Sequence, residues 1–484
     1  MNVLLVEPNF PFPSKSKHGA NEVHKNFVPI GLLKLGAFHK AKGNQVKLVR
    51  GKEVLNKTNF KPDVILITTL FTYWSQLVWE TVNYYRENYP KSKIILGGIY
   101  ATLHKNTEQF NKLAKKYNVE THIGVHEQAE EYLPDYSLLS KDIEYHAMHA
   151  MRGCIRKCDF CGTWRIEPKL KYKTTDRVIN EITNVGKNKV IFYDNNFLAN
   201  PNRKEILKAL AKLRVNGKAV TFECQSGFDG RLLEVDPELA KLLKCARFDN
   251  VRIAWDNGIK DAPSIKKQLD HFAQAGYNYK DIAVFMIYNF DIPLKDMILK
   301  QKYCLKWGVQ ISDCRNRPLT ITEDNYKPSM WRKGQTSKDY YIHEKAGWTD
   351  KKIRLFRNIV RIHGITIRYA KDKNKNFSKI VQQYWKIKDP EECLEFMKKK
   401  VGYNKDMEKW SSFHNSYKFF ELGRPPQYKE IIKNKALLER LKLLNQARNI
   451  CLKKKIDPPK LDKIPNNKVN KSLRNFIEVN NISV

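Results

Sequence analysis

Three cysteines fall within eight residues in the stretch Arg152-Gly153-Cys154-Ile155-Arg156-Lys157-Cys158-Asp159-Phe160-Cys161. Their spacing is C-x3-C-x2-C, and an aromatic residue stands directly before the last cysteine. Regular spacing distinguishes a metal site from scattered thiols, and thiolates this close together can surround one inorganic cofactor. Zinc and iron–sulfur clusters are the two cofactors that such a set of thiolates binds.

The number of thiolates favours an iron–sulfur cluster over zinc. A structural zinc site requires a fourth ligand, and the nearest histidines, His146 and His149, are poorly spaced for that role. A cubane cluster held by three thiolates keeps one iron open for catalysis. We therefore predict a 4Fe–4S cluster on Cys154, Cys158 and Cys161, which are both its ligands and the catalytic centre, with zinc as the alternative.

The cysteines lie in a loop after the first strand of a repeated strand–helix series. Segments at residues 189–193, 219–224, 250–255 and 282–288 have the apolar character of successive buried strands, and helical patterns fall between them. Repeated βα units at this spacing predict a full or partial parallel (β/α) barrel over residues 136–330.

An earlier α/β series occupies residues 1–135. Apolar strand patterns at residues 3–6, 45–50, 64–67 and 93–96 alternate with helical ones. The third strand is wholly apolar, as expected for a strand covered on both faces. These features predict an N-terminal Rossmann-like, doubly wound parallel sheet, so the overall fold class is α/β.

Residues 331–484 are predicted to form a basic, mainly helical C-terminal region. Aromatic residues interleave with lysines there, at Trp331, Tyr340, Tyr341, Trp348 and Trp385. Base stacking with phosphate contacts is one interpretation of this pattern. Packing of a helical cap over the barrel mouth is the other.

The charge balance bears on partners, because 88 Lys and Arg stand against 51 Asp and Glu, a net charge of +37. Such a surface attracts polyanions such as tRNA or DNA. A general lysine bias of the proteome is the alternative, since basic charge alone identifies no partner. Nine cysteines without a secretory leader predict a reducing, cytoplasmic location, and the lack of a long apolar run predicts no membrane span.

The cysteine motif resembles the signature of the radical S-adenosylmethionine superfamily. That signature carries an aromatic residue at the position of Phe160, which the resemblance places beside S-adenosylmethionine. In that family the amino and carboxylate groups of S-adenosylmethionine chelate the open iron. An electron from the cluster then cleaves the sulfonium to methionine and a 5′-deoxyadenosyl radical. The resemblance also implies a reducing electron donor such as flavodoxin or ferredoxin.

Five further residues match the family's cofactor contacts. Asp194 and Asn195 follow the second barrel strand, where the family binds the methionine amino group, although a helix-capping turn is an alternative there. Ser226 and Arg231 lie past the third strand, where the methionine carboxylate binds, although Arg231 also suits a surface helix start. Asp256 stands where the family binds the ribose hydroxyls.

The N-terminal series resembles the cobalamin-binding domain that precedes the barrel in one class of the superfamily. The matching stretches are residues 28–33, Gly97-Gly98 and residues 123–127. The resemblance implies cobalamin held by the Gly97-Gly98 turn. The Asp-x-His-x-x-Gly motif that supplies the cobalt ligand is absent, because His18-Gly19 lacks its spacing. A vestigial fold or a substrate platform is therefore the alternative.

The predicted function is reductive cleavage of S-adenosylmethionine at a 4Fe–4S cluster, followed by hydrogen abstraction or cobalamin-assisted methyl transfer on an unknown substrate. One alternative is a radical enzyme that modifies tRNA or another nucleic acid. A second is a non-catalytic protein that binds metal and nucleic acid.

Overall fold

A computed structural model of the chain describes residues 1–11, 27–53, 55, 60–327, 334–370, 376–400, 413, 416, 417, 419, 420, 422, 426, 434–454 and 456–481. His18 and Trp331 lie outside the described residues. The chain divides into two compact units, one of Met1–Pro11 and Val28–Val360 and one of Phe12–Phe27 and Arg361–Val484. All residues of the candidate site lie in the first unit.

The first five strands form one parallel sheet in the order β2-β1-β3-β4-β5. The order changes direction between β1 and β3, and parallel pairing places all five carboxyl ends at one edge. Val3, Leu5 and Ile65 are fully buried in its core. The strands are β1 (Asn2–Glu7), β2 (Gln45–Arg50), β3 (Val64–Thr69), β4 (Lys93–Gly98) and β5 (Val119–Thr121). The helices of this part are α1 (Ile30–Ala41), α2 (Ser75–Asn88), α3 (Ile99–His104), α4 (Glu108–Lys116) and α5 (Glu127–Glu130).

Two three-stranded parallel sheets follow, in the orders β12-β9-β6 and β13-β14-β15. A parallel bridge between Phe228 and Ile253 links the segment after β12 to β13. Two hairpins accompany these sheets, because β7 pairs with β8 and β10 pairs with β11. The strands are β6 (His146–Met148), β7 (Met151–Arg152), β8 (Lys171–Tyr172), β9 (Lys189–Phe192), β10 (Arg214–Val215), β11 (Lys218–Ala219), β12 (Thr221–Cys224), β13 (Arg252–Ala254), β14 (Ala283–Tyr288) and β15 (Gln310–Arg315).

Helices lie between these strands, and one of them has ordinary caps at both ends. The second of them begins where Thr174 accepts a hydrogen bond from Arg177 N, and it ends at Gly186 in the left-handed conformation. Its buried residues Val178 and Ile182 are four positions apart, so one face packs inward. The helices are α6 (Thr163–Ile166), α7 (Thr175–Val185), α8 (Arg203–Lys212), α9 (Gly230–Val235), α10 (Glu238–Cys245), α11 (Ala262–Gln274) and α12 (Leu294–Trp307).

The described C-terminal residues are mainly helical. Leu441, Leu444 and Leu473 belong to one buried apolar cluster that joins the last two helices. None of the helices in the described part of the chain has the length and apolar character of a membrane span. The helices are α13 (Asp350–Ile365), α14 (Phe377–Lys386), α15 (Pro390–Lys400), α16 (Lys435–Lys454) and α17 (Val469–Asn481).

The mixed α/β character with parallel sheets agrees with the sequence prediction. The strand predicted at residues 45–50 has those bounds, and helix α4 begins at Glu108. Thr107 caps this helix by accepting a hydrogen bond from Phe110 N, which separates it from the unpredicted helix α3. The predicted domain boundaries at residues 135 and 330 stay predictions.

Candidate active site

The three cysteines lie on one loop at the carboxyl end of the first sheet of the second strand series. Cys154, Cys158 and Cys161 are half-buried, and none of them forms a disulfide. Cys161 N donates to Cys158 O (3.0 Å), and Trp164 Nε1 donates to the same oxygen (3.1 Å). These two bonds fold the loop back on itself between the second and third cysteines.

Polar groups surround the sulfur atoms. Cys154 Sγ accepts from Arg156 N (3.3 Å) and from Asn196 Nδ2 (3.7 Å), while Cys161 Sγ donates to Thr163 Oγ1 (3.3 Å). Donors at a sulfur favour its thiolate form and tune the potential of a cluster bound there. Burial raises the pKa of Cys158 above its ordinary value, and nearby Asp256 adds to that rise.

The donor set of the loop is three thiols, the number that holds a cubane cluster with one open iron. Among the described residues, no three His, Cys, Asp or Glu side chains lie close enough together to hold one metal ion. A structural zinc site needs four ligands that converge on one ion. Each thiolate of a cubane binds a different iron, so three thiols spread along a loop suit it.

Glu167 connects the loop to the segments on both sides of it. Its Oε2 accepts from Gly153 N (2.7 Å) and from Asn195 Nδ2 (3.3 Å), and its Oε1 accepts from Arg152 Nη1 (3.0 Å). Gly153 has a φ of 82°, and a Cβ there would lie 3.0 Å from both Leu170 Cδ2 and Lys169 O. Only glycine suits this position, where the returning chain presses against the start of the loop.

A buried ion network continues from Arg152 into the N-terminal sheet region. Arg152 Nη2 donates to Glu130 Oε2 (2.8 Å), and Lys34 Nζ donates to Glu130 Oε1 (2.9 Å). Burial alone would raise the pKa of Glu130, but Arg152 and Lys34 outweigh it, so the pKa lies below its ordinary value. Helices α1 and α5 are thereby tied to the residue that stands two positions before Cys154.

The predicted pair Asp194 and Asn195 divides into two different environments. Asp194 is fully buried, and its carboxylate accepts from Ala150 N (2.9 Å) and Met151 N (2.7 Å). Burial raises its pKa to about 7 in spite of these bonds. Asn195 is exposed and accepts from Thr163 Oγ1 (3.1 Å), next to Cys161. Asn195 therefore reaches the cysteine loop, whereas Asp194 holds the backbone that leads to it.

Asp229 is a central residue of the site that the sequence analysis missed. Its buried carboxylate accepts from Arg156 Nε (2.9 Å), Asn196 Nδ2 (3.2 Å) and Arg231 Nε (2.7 Å). Burial acts to raise its pKa, but the bonds to Arg231 and Arg156 lower it overall. An acidic residue at the start of helix α9, two positions before Arg231, was the available signal. Ser226 is exposed in the loop that leads to Asp229.

Asp256 lies partly exposed at the end of β13. Burial raises its pKa to about 6, while Lys300 and Arg231 act in the opposite direction. Lys300 is fully buried and donates to Trp255 O (2.6 Å) and Asn257 O (3.0 Å) on either side of Asp256. Arg231 and Asp256 both influence the pKa of Cys158, so the structure brings these predicted residues together.

Phe160 contacts a segment that the sequence analysis did not connect to the loop. Its ring packs edge-to-face on Phe290 at a centroid distance of 5.7 Å. Trp348 Nε1 donates to Phe290 O and Ile292 O, both at 3.0 Å, and Trp348 is buried. Tyr340 is also buried. These two predicted aromatics pack within the unit, and neither offers a free face to a nucleic-acid base.

The Gly97-Gly98 turn packs against the neighbouring strand at Gly98. Gly98 has a φ of 106°, and a Cβ there would lie 2.3 Å from Thr69 O, so the chain's own backbone fills the space. The neighbouring Thr69 already has a hydrogen-bond partner within the chain, because its buried hydroxyl accepts from Ala101 N (3.0 Å). Ser75 Oγ donates to Thr322 O (2.8 Å) at the same edge of the sheet. The glycine thus serves close backbone packing.

The model of the Radical SAM superfamily matches residues 148–283. The matched segment begins at the end of β6 and contains Cys154, Cys158, Cys161 and Asp256. The match supports the superfamily and an enzyme, and the superfamily implies a 4Fe–4S cluster and S-adenosylmethionine. No curated protein shows significant sequence similarity to the chain.

Proposed function

We propose that the protein is a radical enzyme that reductively cleaves S-adenosylmethionine at a 4Fe–4S cluster held by Cys154, Cys158 and Cys161. The observation that carries the proposal is the set of three unpaired, half-buried thiols on one loop inside the matched segment. When bound, the cluster supplies an electron and an open iron site. Arg156 N and the Asn196 amide donate to the Cys154 sulfur and stabilise its thiolate.

The chain's polar groups then have distinct roles toward S-adenosylmethionine. Asp256 accepts hydrogen bonds from the ribose hydroxyls, because its carboxylate is partly exposed and lies near Cys158. Arg231 and Ser226 bind the methionine carboxylate, and Asn195 orients the amino group. Phe160 packs beside the cofactor. Asp194 acts indirectly by holding the backbone at Ala150 and Met151.

The finer architecture that we propose follows the strand order. Residues 1–135 form a Rossmann-like domain, residues 136–330 form a partial barrel, and residues 331–484 form a basic helical region. Two parallel three-stranded sheets joined through the Phe228–Ile253 bridge support the partial barrel. Because the turn at Gly98 is closed, we favour hydrogen abstraction over cobalamin-assisted methyl transfer.

The proposal is tested under anaerobic conditions with the full chain. The protein is reconstituted with iron and sulfide, reduced with dithionite and supplied with S-adenosylmethionine, and 5′-deoxyadenosine is measured. The wild type should form it, and Cys158→Ala should lose it. Cys245→Ala, which removes an exposed cysteine far along the chain from the loop, should match the wild type.

The metal content and added cobalamin decide between the alternatives. Bound zinc without 5′-deoxyadenosine, or equal product from Cys158→Ala, would contradict the proposal. S-adenosylhomocysteine that forms only with cobalamin would overturn our preference for hydrogen abstraction.

A further inference from the structure

Three polar side chains form a hydrogen-bonded row to which the proposed function gives no role. The Tyr341 hydroxyl lies 2.5 Å from His343 Nδ1, and His343 Nε2 lies 2.7 Å from Asp291 Oδ1. Asp291 follows the end of β14 by three residues, whereas Tyr341 and His343 belong to the segment before helix α13. A phenol, an imidazole and a carboxylate in this order have the arrangement of a proton relay. We call this row the Tyr–His–Asp relay.

The directions of the hydrogen bonds in the relay follow from its exposed end. The Asp291 side chain is 71 % exposed, so its carboxylate is ionised and can only accept a hydrogen bond. His343 Nε2 therefore carries a proton, and Nδ1 of the neutral imidazole accepts one from the Tyr341 hydroxyl. Burial, assisted by the charge of Asp291, raises the pKa of Tyr341 above its ordinary value. The phenol consequently keeps its proton at neutral pH.

A buried asparagine holds the relay at the carboxyl end of β14. Asn289 is fully buried, its Nδ2 donates to Tyr341 O (3.0 Å), and its Oδ1 accepts from His343 N (2.8 Å). One side chain therefore fixes the backbone at both ends of the segment 341–343. Functional side chains need supporting hydrogen bonds of this kind to keep a productive geometry.

Ring contacts connect the relay to the cysteine loop. The Phe290 ring lies 6.2 Å from the His343 ring and 5.7 Å from the ring of Phe160, measured between centroids. Tyr341 is half-buried, so part of its side chain is open to a ligand. Ligands of parallel α/β folds bind beyond the carboxyl ends of the strands, where residues 289–291 lie. One aromatic ring thus separates the relay from the residue that we place beside S-adenosylmethionine.

We propose that Tyr341 is a catalytic base that takes a proton from an O–H or N–H group of the substrate, an inference that rests on the proposed function. As the phenol oxygen binds this proton, its own proton passes to His343 Nδ1, and Asp291 stabilises the imidazolium. The O–H or N–H bond of the substrate and the original phenol O–H bond break. A new phenol O–H bond and an imidazole N–H bond form, and no electron is exchanged.

The test measures the reactivity of the Tyr341 phenol with benzenesulfonyl fluoride, which requires no substrate. In this reaction the phenol oxygen bonds to sulfur, fluoride leaves, and the phenol's proton passes to His343. The reconstituted full chain is labelled under anaerobic conditions, and peptide mass spectrometry gives the rate at each tyrosine. We expect Tyr341 to react at least about tenfold faster than the more exposed Tyr132, because general base catalysis typically contributes about a hundredfold or more.

Three variants separate the relay from simple exposure of the phenol. His343→Gln keeps an acceptor for the phenol but cannot take its proton, so labelling of Tyr341 should slow about tenfold. Asp291→Asn removes the exposed charge that stabilises the imidazolium and should slow it as well. Glu344→Gln, which neutralises an exposed carboxylate next to His343, should match the wild type. An unchanged labelling rate at Tyr132 shows that each variant is folded.

S-adenosylmethionine added without a reductant tests whether the relay faces the cofactor. Cofactor bound beside Phe160 should slow the labelling of Tyr341 severalfold and leave that of Tyr132 unchanged. Equal labelling of the two tyrosines, or no effect of His343→Gln, would overturn the relay. Undiminished labelling of Tyr341 in protein that binds S-adenosylmethionine would refute its place in the active site. Absence of 5′-deoxyadenosine with dithionite would instead overturn the proposed function, whatever the labelling rates.

Discussion

A buried cation holds the strand end that carries Asp256. Lys300 donates to the backbone oxygens of Trp255 and Asn257, so the strand end between them is held in place. Burial lowers the pKa of Lys300 to about 8, and the nearby Asp256 acts against this shift. At neutral pH the Asp256 carboxyl, with a pKa of about 6, is mostly ionised and is available as a hydrogen-bond acceptor.

Replacement of Asp256 should weaken cofactor binding specifically. A hydrogen bond to a charged group contributes about 1.5–3 kcal/mol, so loss of one such bond predicts a rise of about tenfold or more in Kd. We expect this rise for Asp256→Asn when S-adenosylmethionine binding to the reconstituted protein is measured at equilibrium. The matched control is Asp261→Asn, which removes a nearby carboxylate that bonds to Asn257. Unchanged affinity in Asp256→Asn would refute the ribose role.

Among individual residues, the sequence predicted those that a short motif marks and missed those whose role depends on contacts with residues distant in the chain. Cys154, Cys158 and Cys161 have a spacing that can be read directly, and Asp256 was predicted from the family resemblance. Asp229 and Lys300 have no such signature. Asp229 gathers partners 33 and 73 residues away in the chain, and Lys300 bonds across 45. Such pairings depend on the folded arrangement of the strands.

At the scale of elements, the cysteine loop is held between β7 and helix α6 by one carboxylate. Glu167 follows α6 directly and accepts bonds from Arg152, Gly153 and Asn195. These partners lie on β7, on the loop and on the segment after β9. A single side chain thus fixes the relative positions of three segments that surround the thiols, which makes Glu167 a positioning residue.

Glu167→Gln should loosen the loop without unfolding the protein. The glutamine keeps one acceptor oxygen but loses the charge, so the bonds to Arg152 and Gly153 weaken and the thiols are less well placed for a cluster. We expect iron content after reconstitution to fall about twofold or more, since the lost charge-assisted bonds are each worth about 1.5–3 kcal/mol. The electron paramagnetic resonance signal of the reduced cluster should also change.

The control for Glu167→Gln is Glu127→Gln, which removes an exposed carboxylate next to the hairpin of β7 and β8. Both variants should keep the wild-type circular dichroism spectrum. Full iron content and an unchanged resonance signal in Glu167→Gln would show that the carboxylate does not position the loop.

The strands could largely be predicted from the sequence, whereas the contacts that their residues make could not. The strands of both series followed from apolar runs, because buried parallel strands carry little else. The Gly97-Gly98 motif was correctly placed at the end of β4, yet the purpose of Gly98 depends on the approach of Thr69 from the neighbouring strand. A glycine pair in a sequence does not reveal whether a ligand or the chain itself occupies the space beside it.

At the scale of the whole molecule, the positive charge is unevenly distributed along the chain. Residues 361–484 contain 29 Lys and Arg against 13 Asp and Glu, although they make up about a quarter of the 484 residues. Their share of the net charge, +16 of +37, is therefore well above their share of the length. This bias favours a role for the C-terminal region in binding a polyanion over a uniform lysine bias.

The charge bias predicts where binding of a nucleic acid would be most sensitive. We expect tRNA to bind the full chain at 50 mM KCl and to lose about a thousandfold or more in affinity at 200 mM, as polyanion binding through several phosphates does. Lys453→Gln/Lys454→Gln, at the exposed end of α16, should lower the slope of log affinity against log salt by about two. Lys115→Gln/Lys116→Gln makes the same change at the end of α4 and should leave the slope unaltered. Filter binding across a salt series measures both slopes. Equal slopes for the two variants would show that the C-terminal charge has no special role in binding. Absence of tRNA binding at 50 mM KCl would show that the positive charge reflects a lysine-rich composition and does not serve nucleic-acid binding.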